Sequence, residues 1–521
     1  MIHPSQLPLV DIPDLGIHLL LLGALGTDPE RPSMIDAHSG KTVTNRELHD
    51  QILRVAGGLA ARGFGRGDAL ALIAPNCLEY PVVVIAAAAL GGRAALPNPL
   101  GTVDDFASQI DRTKARFVVT VPGLLDKVGP AAKRAGCAEV FVIGSADGAT
   151  PFAALLDHQP IGSVAEVHAN DLVALPFSSG TSGRPKAVML SHRNLVAQMV
   201  QFAAGMPVAD GTRILAVLPF FHIYGLVLIL LTSLWRGRPI VVMQKFELDG
   251  FLDAIARHRV ELAPVVPPIM VALAKHPKLE QLDLGSLKYI MAGAAPLSAA
   301  IEEQVARRLK VVVVQGYGMT EVSGASHLNQ LAPETIRSGS VGVLVPNMEL
   351  RIVDPTSERA LGVDARGELW VRGPNVFAGY LDDSEATSQT LTPDGWLKTG
   401  DIGYVDSDGY YYIVDRLKEL IKYKAHQVAP ADLEAVLLAH PHIADAAVIP
   451  SADPEAGEVP KAFVVLKAPL TAQEIMDYVA TKVAAFERVR RVEIVDSIPK
   501  SPSGKILRRV LVERERSRLG G

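Results

Sequence analysis

Two cysteines in 521 residues, Cys77 and Cys137, leave no material for a disulfide framework or a cysteine-built metal site. That scarcity fits a reducing compartment such as the cytoplasm. Neither charge sign dominates, with 51 Lys and Arg against 56 Asp and Glu. A net charge of −5 gives no electrostatic reason to expect nucleic acid or an anionic membrane as a partner. No apolar run reaches the ~20 residues of a membrane span. The runs 81–90 and 225–235 fall well short and read as buried helices. The apolar patch 17–25 contains His18 and follows Asp11 and Asp14, whereas a signal peptide wants a basic start. What remains is a soluble globular composition, 49% apolar and 21% charged, long enough for two or three domains.

Hydrophobic patterning supplies the fold class. Leu48, Ile52, Val55 and Leu59 follow one another at helical spacing behind Asn45. The segments 69–73, 116–120 and 139–143 are short buried-strand candidates with helical text between them. Strands separated by helices argue for parallel, helix-covered sheets, an α/β architecture. After position 415, some hundred residues carry their own alternation: helices at 432–439 and 472–483, strands at 446–449, 462–466 and 492–495. The chain therefore divides into a large N-terminal domain, 1–415, and a small C-terminal α+β domain, 416–521.

The most informative stretch is Ser178-Ser179-Gly180-Thr181-Ser182-Gly183-Arg184-Pro185-Lys186, directly behind the apolar run 172–177. Glycines let backbone N–H groups turn onto an anion, hydroxyls add donors, and the lysine supplies a full charge. Such a loop suits phosphate, although composition alone also fits a flexible surface loop. It is not a Walker A loop, because Ala187 rather than Ser or Thr follows the lysine. Further on, Gln315-Gly316-Tyr317-Gly318-Met319-Thr320-Glu321 follows a strand at 311–314. Glycines around an aromatic permit ring stacking, and Thr320 and Glu321 offer oxygen ligands to a hard cation such as Mg²⁺. The small-residue loop Ala292-Gly293-Ala294-Ala295-Pro296 leaves room for a flat ring near the backbone.

The stretch 178–186 resembles the signature loop of the adenylate-forming superfamily of acyl-CoA synthetases, luciferases and adenylation domains. Four more blocks match in order: QGYGMTE, GELWVRGPNVFAGYL, WLKTGDIGYVDSDGYYYIVDRLKELIKYK and PKSPSGKILRR. DRLKELIKYK and QVAP are similar to the 4-coumarate–CoA ligase branch. The resemblance covers nearly the whole chain and implies that the small domain is mobile. It also implies ATP and coenzyme A as substrates, with Mg²⁺.

The resemblance assigns roles residue by residue. ATP and AMP fall to Ser178, Ser179, Gly180, Thr181, Ser182, Gly183, Lys186, Gln315, Gly316 and Tyr317, with Asp401 and Arg416 on the ribose. Alone, Arg416 also reads as a surface ion-pair partner of Glu419. Lys505 matches the catalytic lysine, although a lysine on a Ser-Pro-Ser-Gly loop is ordinarily a solvated charge. Catalysis further implicates Thr320, Glu321 as the metal ligand, and His222. By itself His222 equally reads as a satisfied core histidine between aromatics. Tyr224, Met291, Gly293, Ala294 and Ala295 would line the acyl pocket, where the uncharged Met291 points to a hydrophobic acid. Lys418 marks the hinge, Lys422 and Gln427 the thioester-forming face, and Lys245, Lys424 and Ala425 the coenzyme A path. Three positions depart from the family: Ala187 and Ala425 replace glycines, and Glu487 reverses a charge.

These residues imply two half-reactions, adenylation of a carboxylic acid and then transfer of its acyl group to a thiol. An aryl, arylacrylic or fatty acid with coenzyme A is the expected pair. Loading of a carrier protein's pantetheine and non-catalytic adenylate binding are the alternatives.

Overall fold

The computed structural model describes residues 1–178, 185–277, 279–424, 426–501 and 504–519. Ser179, Gly180, Thr181, Ser182, Gly183 and Ala425, six of the residues assigned above, lie outside this set.

Residues of three sheets share one large hydrophobic core, and helices Val103–Thr113 and Leu125–Arg134 bury a second cluster against the first sheet. In the first sheet, parallel strands Leu172–Ser178, Arg93–Leu96, Ala69–Ile73, Ala115–Thr120 and Glu139–Val142 lie side by side. The second has nine strands, its centre formed by the parallel run Val312–Met319, Tyr289–Ala292, Leu262–Val265, Ile214–Ala216 and Ile240–Val242. The third is antiparallel, in the order His3–Pro4, Glu349–Val353, Gly367–Arg372, Leu397–Val405, Tyr411–Arg416. A fourth sheet lies entirely within residues 421–494, and residues 421–512 bury two clusters of their own. The architecture is thus α/β, large and helix-covered at the N-terminal side, small and α+β at the C-terminal side.

Local chemistry explains the elements that carry the site. Thr44 and Glu47 close a reciprocal capping box on the helix Asn45–Ala61, satisfying orphan N–H groups at its start. The short run 81–90 is indeed a helix, Tyr80–Ala89, buried along its whole length. The other run departs from a plain α-helix. Tyr224–Leu231 winds as a wide π-turn segment before continuing as Thr232–Trp235, and a Cβ on Gly225 would sit 2.1 Å from the Pro219 carbonyl oxygen. The strand Ile214–Ala216 stops short, although the apolar run continues through Val217 and Leu218. Buried Asn76 explains the stop: its amide nitrogen donates to Ala216 O (3.3 Å) and Leu218 O (3.0 Å), and its oxygen accepts from Phe220 N (2.8 Å). This side chain holds the irregular chain that presents His222.

Candidate active site

Chain ends from all three large sheets converge where parallel strands finish, the usual location of ligand crevices in such sheets. Ser178 and Lys186 are register partners in an antiparallel pair, so the two flanks of the phosphate-loop candidate lie side by side at the end of a largely buried strand. The Lys186 ammonium lies 4.7 Å from the centre of the Tyr380 ring. The Tyr380 hydroxyl donates to Glu321 Oε1 at 2.9 Å. One phenol thus joins the phosphate-loop lysine to the proposed metal carboxylate. Tyr380 is the penultimate residue of the block GELWVRGPNVFAGYL, yet nothing in the sequence marked it out within that block.

The segment 315–319 is extended and continues the strand Val312–Met319. Its glycines serve close backbone approach across the hairpin: a Cβ on Gly318 would meet Gly324 O at 1.8 Å, and one on Gly316 would meet Leu328 Cδ2 at 2.9 Å. Thr320 and Glu321, both buried, then sit in a tight turn, Thr320–Val322. A hydroxyl and a carboxylate are the oxygen ligands a hard cation takes while keeping most of its waters. Among the described residues no three His, Cys, Asp or Glu side chains form a metal cage. Gln315 donates its amide to Glu302 Oε2 at 2.6 Å, and Glu302 also accepts from Gly339 N at 3.1 Å.

Asp401 is buried where strands Leu397–Val405 and Tyr411–Arg416 pair, with Arg416 directly across the register. Its carboxylate accepts from the Tyr317 hydroxyl at 2.6 Å and faces the Arg416 guanidinium at 3.5 Å. Burial pushes the Asp401 carboxyl up from its ordinary value, against the pull of Arg416 and Tyr317. The surface pair of Arg416 with Glu419 is not formed. Glu419 bonds to Arg508 at 2.5 Å instead, and Arg508 also holds Glu434 at 2.7 Å.

Lys505 is drawn into this cluster rather than solvated. A Cβ on Gly504 would meet Pro268 Cγ at 2.9 Å, which shows how closely the lysine loop packs against the large N-terminal part. Burial, then the positive charge of Arg416, lowers the Lys505 ammonium to about 8, while Glu419 and Asp401 act in the opposite sense. Burial and Lys505 together push the His222 imidazole down to about 4, so it is neutral at pH 7. Of the pocket candidates, Tyr224 donates its hydroxyl to Met291 O at 2.9 Å, and its ring lies 3.1 Å from where a Gly293 Cβ would be. Ala294 is exposed and adopts φ +71°, and Ala295 is half-buried.

The proposed thioester face stands apart from this cluster. Lys422 and Gln427 are register partners on the hairpin of Ile421–Tyr423 and His426–Val428, and both are exposed. Lys424 is exposed as well, its amide held by Ala456 O at 2.9 Å. Lys418 is exposed in the turn after Arg416. Lys245 is exposed and paired with Glu247 at 3.1 Å. At the departures from the family, Ala187 is fully buried, and Glu487 closes a local turn by accepting from Ala484 N.

With this geometry in view, comparison with known proteins is direct. Residues 24–381 match the AMP-binding enzyme family, and 432–505 match the AMP-binding enzyme C-terminal domain. The chain is 42% identical to 4-coumarate–CoA ligase 3 of Oryza sativa subsp. japonica, over 93% of this chain and 89% of that protein. It is 39% identical to the 4-coumarate–CoA ligase of Pinus taeda, over 98% and 97%. Among solved structures, the anthranilate CoA ligase AuaEII in complex with anthranoyl-AMP superimposes with a TM-score of 0.91 at 25% identity, covering 98% of each chain. ATP-bound MatB from Rhodopseudomonas palustris gives 0.88 at 27% identity, covering 95% of this chain and 98% of that one. The chain belongs to the AMP-binding enzyme family, in its 4-coumarate–CoA ligase-like branch.

Proposed function

We propose that the protein is an ATP-dependent carboxylic acid–CoA ligase that works through an acyl-adenylate on a hydrophobic aryl, arylacrylic or fatty acid. The observation that carries this reading is Lys505, held by its docked loop among Asp401, Arg416 and His222. Two anions must meet for adenylation, and a buried ammonium between them relieves their repulsion. The substrate carboxylate attacks the α-phosphorus, and pyrophosphate leaves onto the loop ending at Lys186. Asp401 accepts from the ribose hydroxyls, with Arg416 beside it, and Gln315, Gly316 and Tyr317 border the nucleotide. Glu321, with Thr320 adjacent, would hold Mg²⁺, which would supply charge neutralisation at the phosphates. Positioning and charge suffice for such transfers, so no protein nucleophile is required.

In the second half-reaction a thiol sulfur attacks the acyl carbon, the thiol proton is lost, and AMP leaves. For this step residues 416–521 move as a unit about Lys418, withdrawing Lys505 and presenting Lys422 and Gln427. Lys245 and Lys424 bind the nucleotide phosphates of coenzyme A. The acyl group rests against Tyr224, Met291 and Gly293. Cysteine scarcity and net charge fit a cytoplasmic enzyme, and no helix among the described residues is long and apolar enough to cross a membrane.

The test is pyrophosphate release and AMP formation against a panel of aryl, arylacrylic and fatty acids, with and without coenzyme A. Acid-dependent pyrophosphate release with coenzyme A-dependent thioester formation is expected. Adenylation without any use of free coenzyme A would replace this reading with carrier loading, and no acid-dependent pyrophosphate release would overturn it.

A further inference from the structure

The strand that carries Asp401 is not regular where it matters. Between strands Gly367–Arg372 and Leu397–Val405, Trp370 pairs with Lys398 and Glu368 with Ile402. Three residues, Thr399, Gly400 and Asp401, therefore face the single residue Leu369. This bulge lifts Asp401 out of the ladder with Gly367–Arg372 while leaving it paired with Arg416, and it deprives backbone groups on that side of ladder partners. A buried N–H left unpaired is costly, so each must be met by something else.

The buried carboxylate of Glu368 meets one of them. Its Oε1 accepts from Gly400 N at 2.9 Å, where Gly400 holds φ +71°. Its Oε2 accepts from the indole N–H of Trp370 at 2.8 Å. The Thr399 hydroxyl bonds to Leu369 O at 2.7 Å and accepts from Asp401 N at 3.1 Å. On the other side, Gly400 O accepts from Leu417 N at 2.8 Å, directly before Lys418.

Trp370 is itself clamped. The Lys398 ammonium lies 4.4 Å from its ring centre and the Arg351 guanidinium 4.6 Å from it. Arg351 also lies 4.5 Å from the Trp396 ring, which Arg372 contacts at 4.6 Å. Alternating cations and indoles thus stack across the sheet, a favourable arrangement that fixes the ring planes. A fixed indole aims its N–H, and the aimed N–H orients Glu368.

We infer that Glu368 is a positioning residue for nucleotide binding: through Gly400 it sets the bulge that aims Asp401 at the ribose, with Trp370 holding it in place. The inference rests on the reading of Asp401 as the ribose ligand. Its signature is selectivity between ribose and deoxyribose rather than general loss of activity. A glutamine at 368 keeps the size but can accept at only one end, because its NH₂ group opposes either Gly400 N–H or the indole N–H.

The experiment compares ATP with 2′-deoxy-ATP and 3′-deoxy-ATP in the pyrophosphate-release assay for wild type, Glu368→Gln, Trp370→Phe and Asp401→Asn. Glu368→Gln is expected to raise KM for ATP about tenfold, the scale of one hydrogen bond to a charged group, with kcat changed far less. Values for the deoxynucleotides should move little, so discrimination collapses by the same factor. Trp370→Phe keeps an aromatic ring in the stack and is expected to show the same selective change, smaller in size. It provides the test should Glu368→Gln fail to fold. Equal losses on ATP and on both deoxynucleotides in the folded variants would make Glu368 merely structural and overturn the inference. Unchanged discrimination in Glu368→Gln and Trp370→Phe, with discrimination lost in Asp401→Asn, would also overturn it. Unchanged discrimination in Asp401→Asn would instead remove the reading of Asp401, and the inference with it.

Discussion

Lys505 permits a test that reads charge and conformation together. In the substrate-free protein burial is the first cause that lowers its ammonium to about 8, and Arg416 and Arg508 add to the depression while Glu419 and Asp401 oppose it. His222, lowered to about 4, stays neutral across the range of interest. ATP brings negative charge to this ammonium and favours its protonated form, so the pKa rises on binding. Between the free and bound values, the bound state therefore holds more proton, and binding takes protons up. At pH 8 the free protein carries about half of the Lys505 proton, so uptake approaches about half a proton per ATP; at pH 7 it falls to roughly a tenth. The same linkage makes ATP affinity fall as pH rises above 8. Titration calorimetry in two buffers of different ionisation enthalpy measures the uptake, and Lys505→Ala should abolish it. That variant should also slow adenylation by ~10²–10³, the scale for removing one preorganised charge. A pre-made acyl-adenylate should still yield thioester at near wild-type rate. Proton uptake persisting in Lys505→Ala, or equal damage to both half-reactions, would refute the reasoning.

Substitutions at three further positions probe other parts of the site. Gly318→Ala places a methyl 1.8 Å from a backbone carbonyl oxygen that cannot yield, so a loss of about 3 kcal/mol or more is expected in urea unfolding; an unchanged midpoint would contradict the hairpin geometry. Tyr380→Phe keeps the ring under Lys186 but removes the donor to Glu321, and adenylation should fall about tenfold. Tyr380→Ala removes both contacts and should do more harm, so equal effects would separate the phenol from Glu321. Ala294→Gly relieves a left-handed alanine and should raise stability by about 1 kcal/mol, while widening acceptance of ring-substituted acids in the substrate panel. Higher stability with an unchanged panel would leave Ala294 outside the pocket.

Much of the fold was legible because its signals are local. Buried parallel strands announce themselves as short apolar runs, and 69–73 appears in the structure as Ala69–Ile73. The helix His192–Gly205 has a local start signal of the same kind, with Ser191 and Asn194 as a capping box. The C-terminal strands and helices lie within a few residues of the expected ones, although Ile443–Asp453 and Gly457–Leu466 extend much further as a hairpin. Sequence reading failed where distant chain decided. Asn76, far away along the chain, ends a strand at Ala216, and pairing with Gly324–Leu328 holds 316–319 as extended chain.

By itself the sequence determined the α/β class, the chemistry available at each motif and the membership that those motifs carry together. Phosphate-binding composition, oxygen ligands and a lysine near the C-terminus are properties of short segments, readable without coordinates. Tertiary structure alone decided which of these charges meet. Lys505 and Asp401 are a hundred residues apart, and only docking of the lysine loop on Val266 and Pro268 brings the ammonium among Arg416, Asp401 and His222. The same holds for Tyr380 between Lys186 and Glu321, and for Glu368 beneath Gly400. Hydrogen bonds and Coulomb forces act over a few ångströms of space whatever the separation along the chain, so a residue's partners, and with them its charge state, belong to the folded molecule.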